Sequence, residues 1–163
     1  MQEFLKRRCV GILPLEGFPL LSFASVVDPF RFANVLSGKI LYDVAVIGDN
    51  ATSVSSSGPA LAKVDQQMNN DMAFDYLFVI AGGRPEAFSD QRTLNWIARL
   101  TRKGTYIAGV SGGPVILAKA GIVAGHRMTV HWEHAPNLLE TYPDLLLEKT
   151  LFTKDRTLIT CGG

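Results

Sequence analysis

Tyr106-Ile107-Ala108-Gly109-Val110-Ser111-Gly112-Gly113-Pro114 decides how this chain of 163 residues is read. Residues 106–110 make a continuous apolar run, the pattern of a strand covered on both faces within a parallel sheet. Pro114 suits the first turn of a helix, where its missing N–H would be unsatisfied anyway, and that helix is predicted to run to Ala120 and stop at Gly121. Between strand and helix, Gly109-Val110-Ser111-Gly112-Gly113 fits the G-x-S-x-G elbow. Such a turn pushes one side chain out above the strand end, and the flanking glycines relieve the crowding. The first N–H groups of the following helix face the same point, where the helix dipole favours negative charge. A hydroxyl there could attack a carbonyl while the amides hold the oxyanion. The same five residues also read as a Gly-rich turn before an ordinary helix.

Outward from the elbow, short apolar runs alternate with longer amphipathic ones. Residues 76–80 repeat the buried-strand pattern and end in Ala81-Gly82-Gly83. Strands are further predicted at 9–13, 41–47 and 127–130, and helices at 20–36 and from Ser89 or Asp90 to Lys103, with Gly104 as the stop. Pro29 is expected to break the first helix, with Asp28 capping a second segment. Residues 51–60 read as a loop or edge segment. Residues 145–152 and 157–161 read as a hairpin turning at Lys154-Asp155-Arg156. This is the order of an α/β domain with a mainly parallel sheet. In such a sheet ligands bind outside the carboxyl ends of the strands, so the glycine corners at 82–83 and 111–113 should open on one crevice. Gly82-Gly83 either adds an oxyanion donor or simply ends its strand.

Composition narrows the function classes. With 47% hydrophobic and 19% charged residues the chain is not intrinsically disordered. Sixteen Lys and Arg against fifteen Asp and Glu leave +1, so no basic excess is available for a phosphate backbone. Lys6-Arg7-Arg8 precede an apolar stretch, but Pro14, Glu16, Gly17 and Pro19 interrupt it, and neither a signal peptide nor a membrane span is expected. Cys9 and Cys161 lie at opposite ends, with no CxxC pair, and are read as small buried apolar residues in a reducing cytoplasm. No metal-ligand set and no cofactor are expected.

Three histidines are available. His131 falls at the end of the predicted strand 127–130, followed by Trp132 and Glu133, within reach of a neighbouring elbow as base or hydrogen-bond donor. His126, in a Gly125-His126-Arg127 turn, and His134, in the first turn of the next helix, are expected at the surface. An α/β-hydrolase esterase is set aside, because that fold is usually larger, places its acid between serine and a distant histidine, and His131 follows Ser111 by only twenty residues.

The order of residues 9–13, Ala81-Gly82-Gly83, Ala108 to Gly113 and Met128-Thr129-Val130-His131-Trp132-Glu133 resembles the ThiJ/PfpI superfamily. Ser22-Phe23-Ala24-Ser25 followed by Asp28-Pro29-Phe30-Arg31-Phe32-Ala33-Asn34 is similar to the sensor domains of AraC-family transcriptional regulators of that type, in which a His-Trp-Glu run also follows the elbow helix. The resemblance implies a class I glutamine-amidotransferase-like, flavodoxin-like three-layer sandwich with a mainly parallel central sheet and an additional β-hairpin. It places Ser111 where the superfamily has its nucleophilic cysteine, His131 at the histidine partner, and Gly82 or Gly83 with the Gly112 amide at the oxyanion donors. The acidic partner on the first helix is missing, since the positions near Ser22 hold no carboxylate.

Without thiol or acid, the resemblance implies a vestigial Ser111–His131 pair and a pocket that binds without converting its ligand. Ser22, Gly82, Gly83, Ser111, Gly112, His131, Trp132 and Glu133 would line it. The implied effector is a small nitrogenous metabolite, an amino acid or a betaine or carnitine. Its carboxylate would sit on the elbow amides and its cation on Trp132 and Glu133, although Trp132 equally suits core or interface packing. The resemblance further implies a homodimer and a cytoplasmic location. It also implies that residues 1–163 are one sensing domain, cut at Gly162-Gly163 from a regulator whose C-terminal helix-turn-helix domain contacts DNA. The rival reading is a hydrolase or hydratase that uses Ser111 and His131.

Overall fold

The computed structural model describes residues 6–163. In chain order the elements are β1 (Arg8–Pro14), α1 (Leu20–Ser37), β2 (Tyr42–Gly48), β3 (Ser53–Ser55), β4 (Leu61–Lys63), β5 (Gln66–Gln67), β6 (Tyr76–Ala81), α2 (Gln91–Arg102), β7 (Tyr106–Ser111), α3 (Gly113–Lys119), β8 (Arg127–Met128), α4 (Ala135–Thr141), β9 (Leu146–Leu147), β10 (Phe152–Asp155) and β11 (Leu158–Cys161). Single 3₁₀ turns occupy Pro85–Ala87 and Trp132–His134.

Seven strands form the central sheet in the order β10-β11-β7-β6-β1-β2-β5. All neighbours are parallel except the β10–β11 hairpin. Buried side chains divide by strand parity, as a two-period element requires. On one face Leu77 and Val79 of β6 meet Leu94, Ile97 and Leu100 of α2 and Ile116 and Leu117 of α3. On the other, Val10 and Ile12 of β1 and Ile80 of β6 meet Phe18 and Val26, with Phe30 packed against them and Val54 and Ala62 of the β3–β4 hairpin at the edge. Two cores on either side of one sheet make the three layers of a flavodoxin-like α/β fold.

Several local expectations change. α1 is not broken at Pro29 but runs through it. Packing on both sides of the proline sets the register: Val26 is buried, and the Phe30 ring meets Tyr42 at 4.9 Å and Phe78 at 5.7 Å. Asp28 caps nothing and instead pairs with Arg31 at 3.2 Å. The stretch 127–130 is a strand only at Arg127–Met128, after which Thr129 is held by side chains: its amide donates to Thr160 Oγ1 and its hydroxyl to the Thr150 carbonyl, each at 2.8 Å. The first arm of the hairpin begins at Phe152 rather than 145, because Leu146–Leu147 pairs with β8, and the turn falls at Arg156, whose φ is 55°. Cys9 is exposed and Cys161 half-buried, so the N-terminal thiol is not a core residue. Among the described residues no helix is long and apolar enough to cross a membrane.

Candidate functional site

Ser111 ends β7 with φ at +59°, a left-handed conformation that costs a non-glycine residue roughly 1–2 kcal/mol. The close approach of α3 imposes it. A Cβ on Gly113 would lie 2.2 Å from the Val79 carbonyl oxygen of β6, so α3 starts almost in contact with the sheet and the chain must turn within one residue. Ser111 itself is buried. The sequence thus builds the elbow it suggested, serine at its apex.

The corner at 82–83 is adjacent: Ala81 pairs with Ser111 across β6 and β7. A Cβ on Gly82 would stand 2.8 Å from both the Gly17 carbonyl oxygen and Pro19, so the β1–α1 turn closes directly over this position. Gly83, with φ at +62°, turns the chain into the Pro85 turn. The Gly112 amide, expected as an oxyanion donor, donates to the Ala81 carbonyl at 2.8 Å and is therefore already engaged.

His131 caps a 3₁₀ turn instead of closing a strand. Its amide donates to the Ser111 carbonyl at 3.2 Å, which ties it to the elbow through the main chain. Its Nδ1 faces Glu133, accepting from the Glu133 amide at 3.4 Å and lying 3.9 Å from Oε2. Trp132 is 79% exposed, so it is not a core residue, and its ring lies 5.5 Å from His131.

His134 corrects the expectation of a surface residue. It is buried, and its Nε2 lies 3.2 Å from where a Cβ on residue 112 would be, so glycine at 112 makes room for the ring. Burial lowers its basicity below that of an ordinary imidazole, the carboxylates of Glu133 and Glu86 pull the other way, and His131 adds to the lowering. His126 is likewise not free at the surface, since its Nδ1 sits 3.2 Å from the Asp155 carbonyl.

Three of the predicted site residues, Ser22, Gly83 and Glu133, line two cavities near the elbow, whereas Gly82, Ser111, Gly112, His131 and Trp132 line neither of these. A polar one of about 200 Å³ is bordered by Gly83, Glu86, Glu133, His134 and Asn137. An apolar one of about 330 Å³ lies under α1, walled by Ser22, Phe30, Phe78, Cys161 and Gly163. At Gly163, on the wall of the apolar cavity, a Cβ would lie 3.3 Å from Ser22 Oγ and 3.4 Å from Ser111 Oγ, so the two hydroxyls converge on one point. The Cys161 sulfur accepts from the Gly163 and Ser111 amides, and burial pushes its thiol up, away from thiolate at neutral pH. Cys161 and His134 carry no motif of their own, and only the topology reveals them. Among the described residues His131, Glu133 and His134 also bring one possible metal-ligand atom each within 4.8 Å of one another. A larger cavity, about 630 Å³, lies along α2 beside Arg92, Arg99 and Arg102 and contains no part of the elbow.

Comparison with known proteins adds a family. Residues 22–163 match the DJ-1/PfpI family. The chain is 36% identical over 156 residues to the HTH-type transcriptional regulator GlxA of Rhizobium meliloti, covering 94% of this chain and 48% of that protein. It is 35% identical over 157 residues to the HTH-type transcriptional regulator CdhR of Pseudomonas aeruginosa, covering 93% of this chain and 45% of that protein. It therefore spans about half the length of these relatives. A more distant similarity, 26% over 147 residues, covers 90% of the chain and 62% of an isonitrile hydratase of Pseudomonas putida. Among solved structures, an AraC family transcriptional regulator from Pseudomonas putida superimposes with a TM-score of 0.83 at 20% identity, over 96% of this chain and 84% of that one, which bears on the fold alone.

Proposed function

This chain belongs to the DJ-1/PfpI family, and from that premise we propose that it is the effector-sensing domain of an AraC-type transcriptional regulator, holding a small nitrogenous metabolite at the elbow without converting it. The observation that carries the reading is the 36% identity to a helix-turn-helix regulator across 94% of the chain but 48% of the relative. The near-zero net charge suits a half that leaves DNA to another domain, and in the parent protein a helix-turn-helix domain C-terminal to residue 163 makes that contact. The site chemistry supports binding over turnover. A serine hydroxyl needs a base, and the Nδ1 edge of His131 is directed at Glu133 while its link to Ser111 is through the main chain.

An amino acid or betaine would lay its carboxylate in the crevice between Gly82, Gly83 and Ser111, and its cation against the exposed face of Trp132, with Glu133 beside it. Ser22 approaches Ser111 from α1 beside Gly163. The protein is expected in the cytoplasm and as a homodimer.

The test is a thermal-denaturation panel of amino acids, betaine and carnitine. A true effector at a hundredfold excess over Kd adds about 2.7 kcal/mol, which for a chain of this size raises Tm by roughly 5–10 °C. No stabilisation by any member would overturn the effector class. The similarity to an isonitrile hydratase favours one second reading, a Ser111-dependent hydratase or hydrolase. Turnover of an isonitrile, ester or amide that vanishes in Ser111→Ala would establish it in place of the sensor.

A further inference from the structure

We infer that His131, Glu133 and His134 form a binding site for one divalent transition metal ion of the zinc class, open toward the polar cavity beside the elbow. The tetrapeptide His131-Trp132-Glu133-His134 does not look like a ligand set when residue 131 ends a strand and residue 134 begins a helix. The 3₁₀ turn changes this, because residues i and i+3 of such a turn lie on the same side. The two imidazoles accordingly approach to 5.8 Å between centroids, while the Trp132 ring lies against His131 at 5.5 Å and is 79% exposed. Glu133 closes the set, and one ligand atom from each of the three residues falls within 4.8 Å of the others.

The donor types select the ion. Two imidazoles and one carboxylate suit zinc and its neighbours, whereas an all-oxygen set would be needed for magnesium or calcium. Metal–ligand distances of about 2.0–2.2 Å put tetrahedral ligand atoms roughly 3.4 Å apart, so from separations of up to 4.8 Å the set must contract by up to about 1.4 Å. Glu133 can supply that movement, because its side chain is 67% exposed. His134 is held in place, buried against Gly112. The formal charges around the site balance, two carboxylates against two cations, so the ligand atoms rather than the surrounding field select a cation. Glu86 faces His134 and adds a second carboxylate, although Arg84 lies 3.5 Å from Glu86 and Lys119 donates to the Glu86 carbonyl. Three protein ligands leave a coordination position toward the cavity of about 200 Å³, which Asn137 also lines.

The experiment titrates chelator-treated protein with Zn²⁺ by calorimetry, without any effector, so its failure leaves the sensor reading standing and the effector screen remains separate. One saturable site per chain is expected, untouched by Mg²⁺. Glu133→Gln, at an exposed position that should leave the fold intact, and His134→Ala should each weaken it at least tenfold. His126→Ala should bind like the wild type. Substitution with Co²⁺ should give the visible absorption of a four-coordinate nitrogen–oxygen site. Absence of saturable binding, or affinity that survives in Glu133→Gln with unchanged circular dichroism, overturns the site, as does loss in His126→Ala alone.

Discussion

At the scale of single residues, the elbow is a compromise between contact and strain. Ser111 holds a left-handed backbone because Gly113 brings α3 within contact of β6. Gly113→Ala is therefore predicted to cost about 3 kcal/mol or more, since its new Cβ would overlap a backbone carbonyl that cannot swing aside. Gly58→Ala, where the nearest atom to a Cβ is 3.9 Å away and is a serine hydroxyl, should be nearly neutral. Urea denaturation of the two variants measures the contrast, and a Gly113→Ala protein as stable as wild type would mean that α3 can lift from the sheet. The Trp132 ring is free of the core, so Trp132→Ala is predicted to leave stability within about 0.5 kcal/mol while weakening effector binding roughly tenfold, the worth of about 1.4 kcal/mol of cation–π contact. Parallel melting curves and binding titrations separate the two effects. The serine was readable from five residues of sequence because the elbow is local. His134 was not, because its burial depends on Gly112 at a distance of 22 positions along the chain.

At the scale of elements, α2 shows how a legible signal becomes stability. Asp90 accepts from the amides of Arg92 and Thr93, as a helix N-cap should, and Asp90→Ala is predicted to cost about 1 kcal/mol at neutral pH. The hydroxyl of Thr93, chiefly, holds the Asp90 carboxyl below the ordinary carboxylate range, with the two amides adding to it against the opposing effect of burial. A carboxyl whose folded pKa is depressed contributes fully above its unfolded value of about 3.9 and loses that contribution as pH falls toward the folded value. The stability gap between wild type and Asp90→Ala should thus be constant from pH 7 to 5 and shrink below about pH 4. Denaturant midpoints across that range test it, and a gap that widened in acid would contradict the assignment. The start of α2 near Asp90, the buried strands and the Gly104 stop were legible because each rests on neighbours in sequence. The course of α1 through Pro29 was not, because the ring contacts of Phe30 with Tyr42 and Phe78 come from two other strands. The strand at 127–130 was foreseen but its end at Met128 was not, for a similar reason: Thr129 is held by the Thr160 hydroxyl and the Thr150 carbonyl rather than by a ladder.

At the scale of the molecule, the two faces of the sheet are unequally covered. One is roofed by α2 and α3 with α4 at their side, the other by α1 and the β3–β4 hairpin. Yet α1 buries only Ser22 and Val26 fully, and it shows solvent Leu20, Leu21, Phe32, Val35 and Leu36, the last at 85% exposure. A helix apolar on both sides suits a covered position, and in this chain its outer side is exposed. In the proposed homodimer a second copy about a twofold axis would cover it, because an isologous interface needs just one self-complementary patch. Sedimentation equilibrium of the wild-type chain should then report a dimer. Leu36→Lys, which sets a charge into the C-terminal end of the patch, should shift the equilibrium to monomer without lowering the monomer's own stability by more than about 0.5 kcal/mol, as for a surface change. Since Ser22 lies on this helix and faces the point shared with Ser111, dissociation should also weaken effector binding, and effector should in turn favour the dimer by the same factor. A wild-type chain that stays monomeric at high concentration, or a Leu36→Lys variant that still dimerises, would mean that the apolar side of α1 is covered by something other than its own twin.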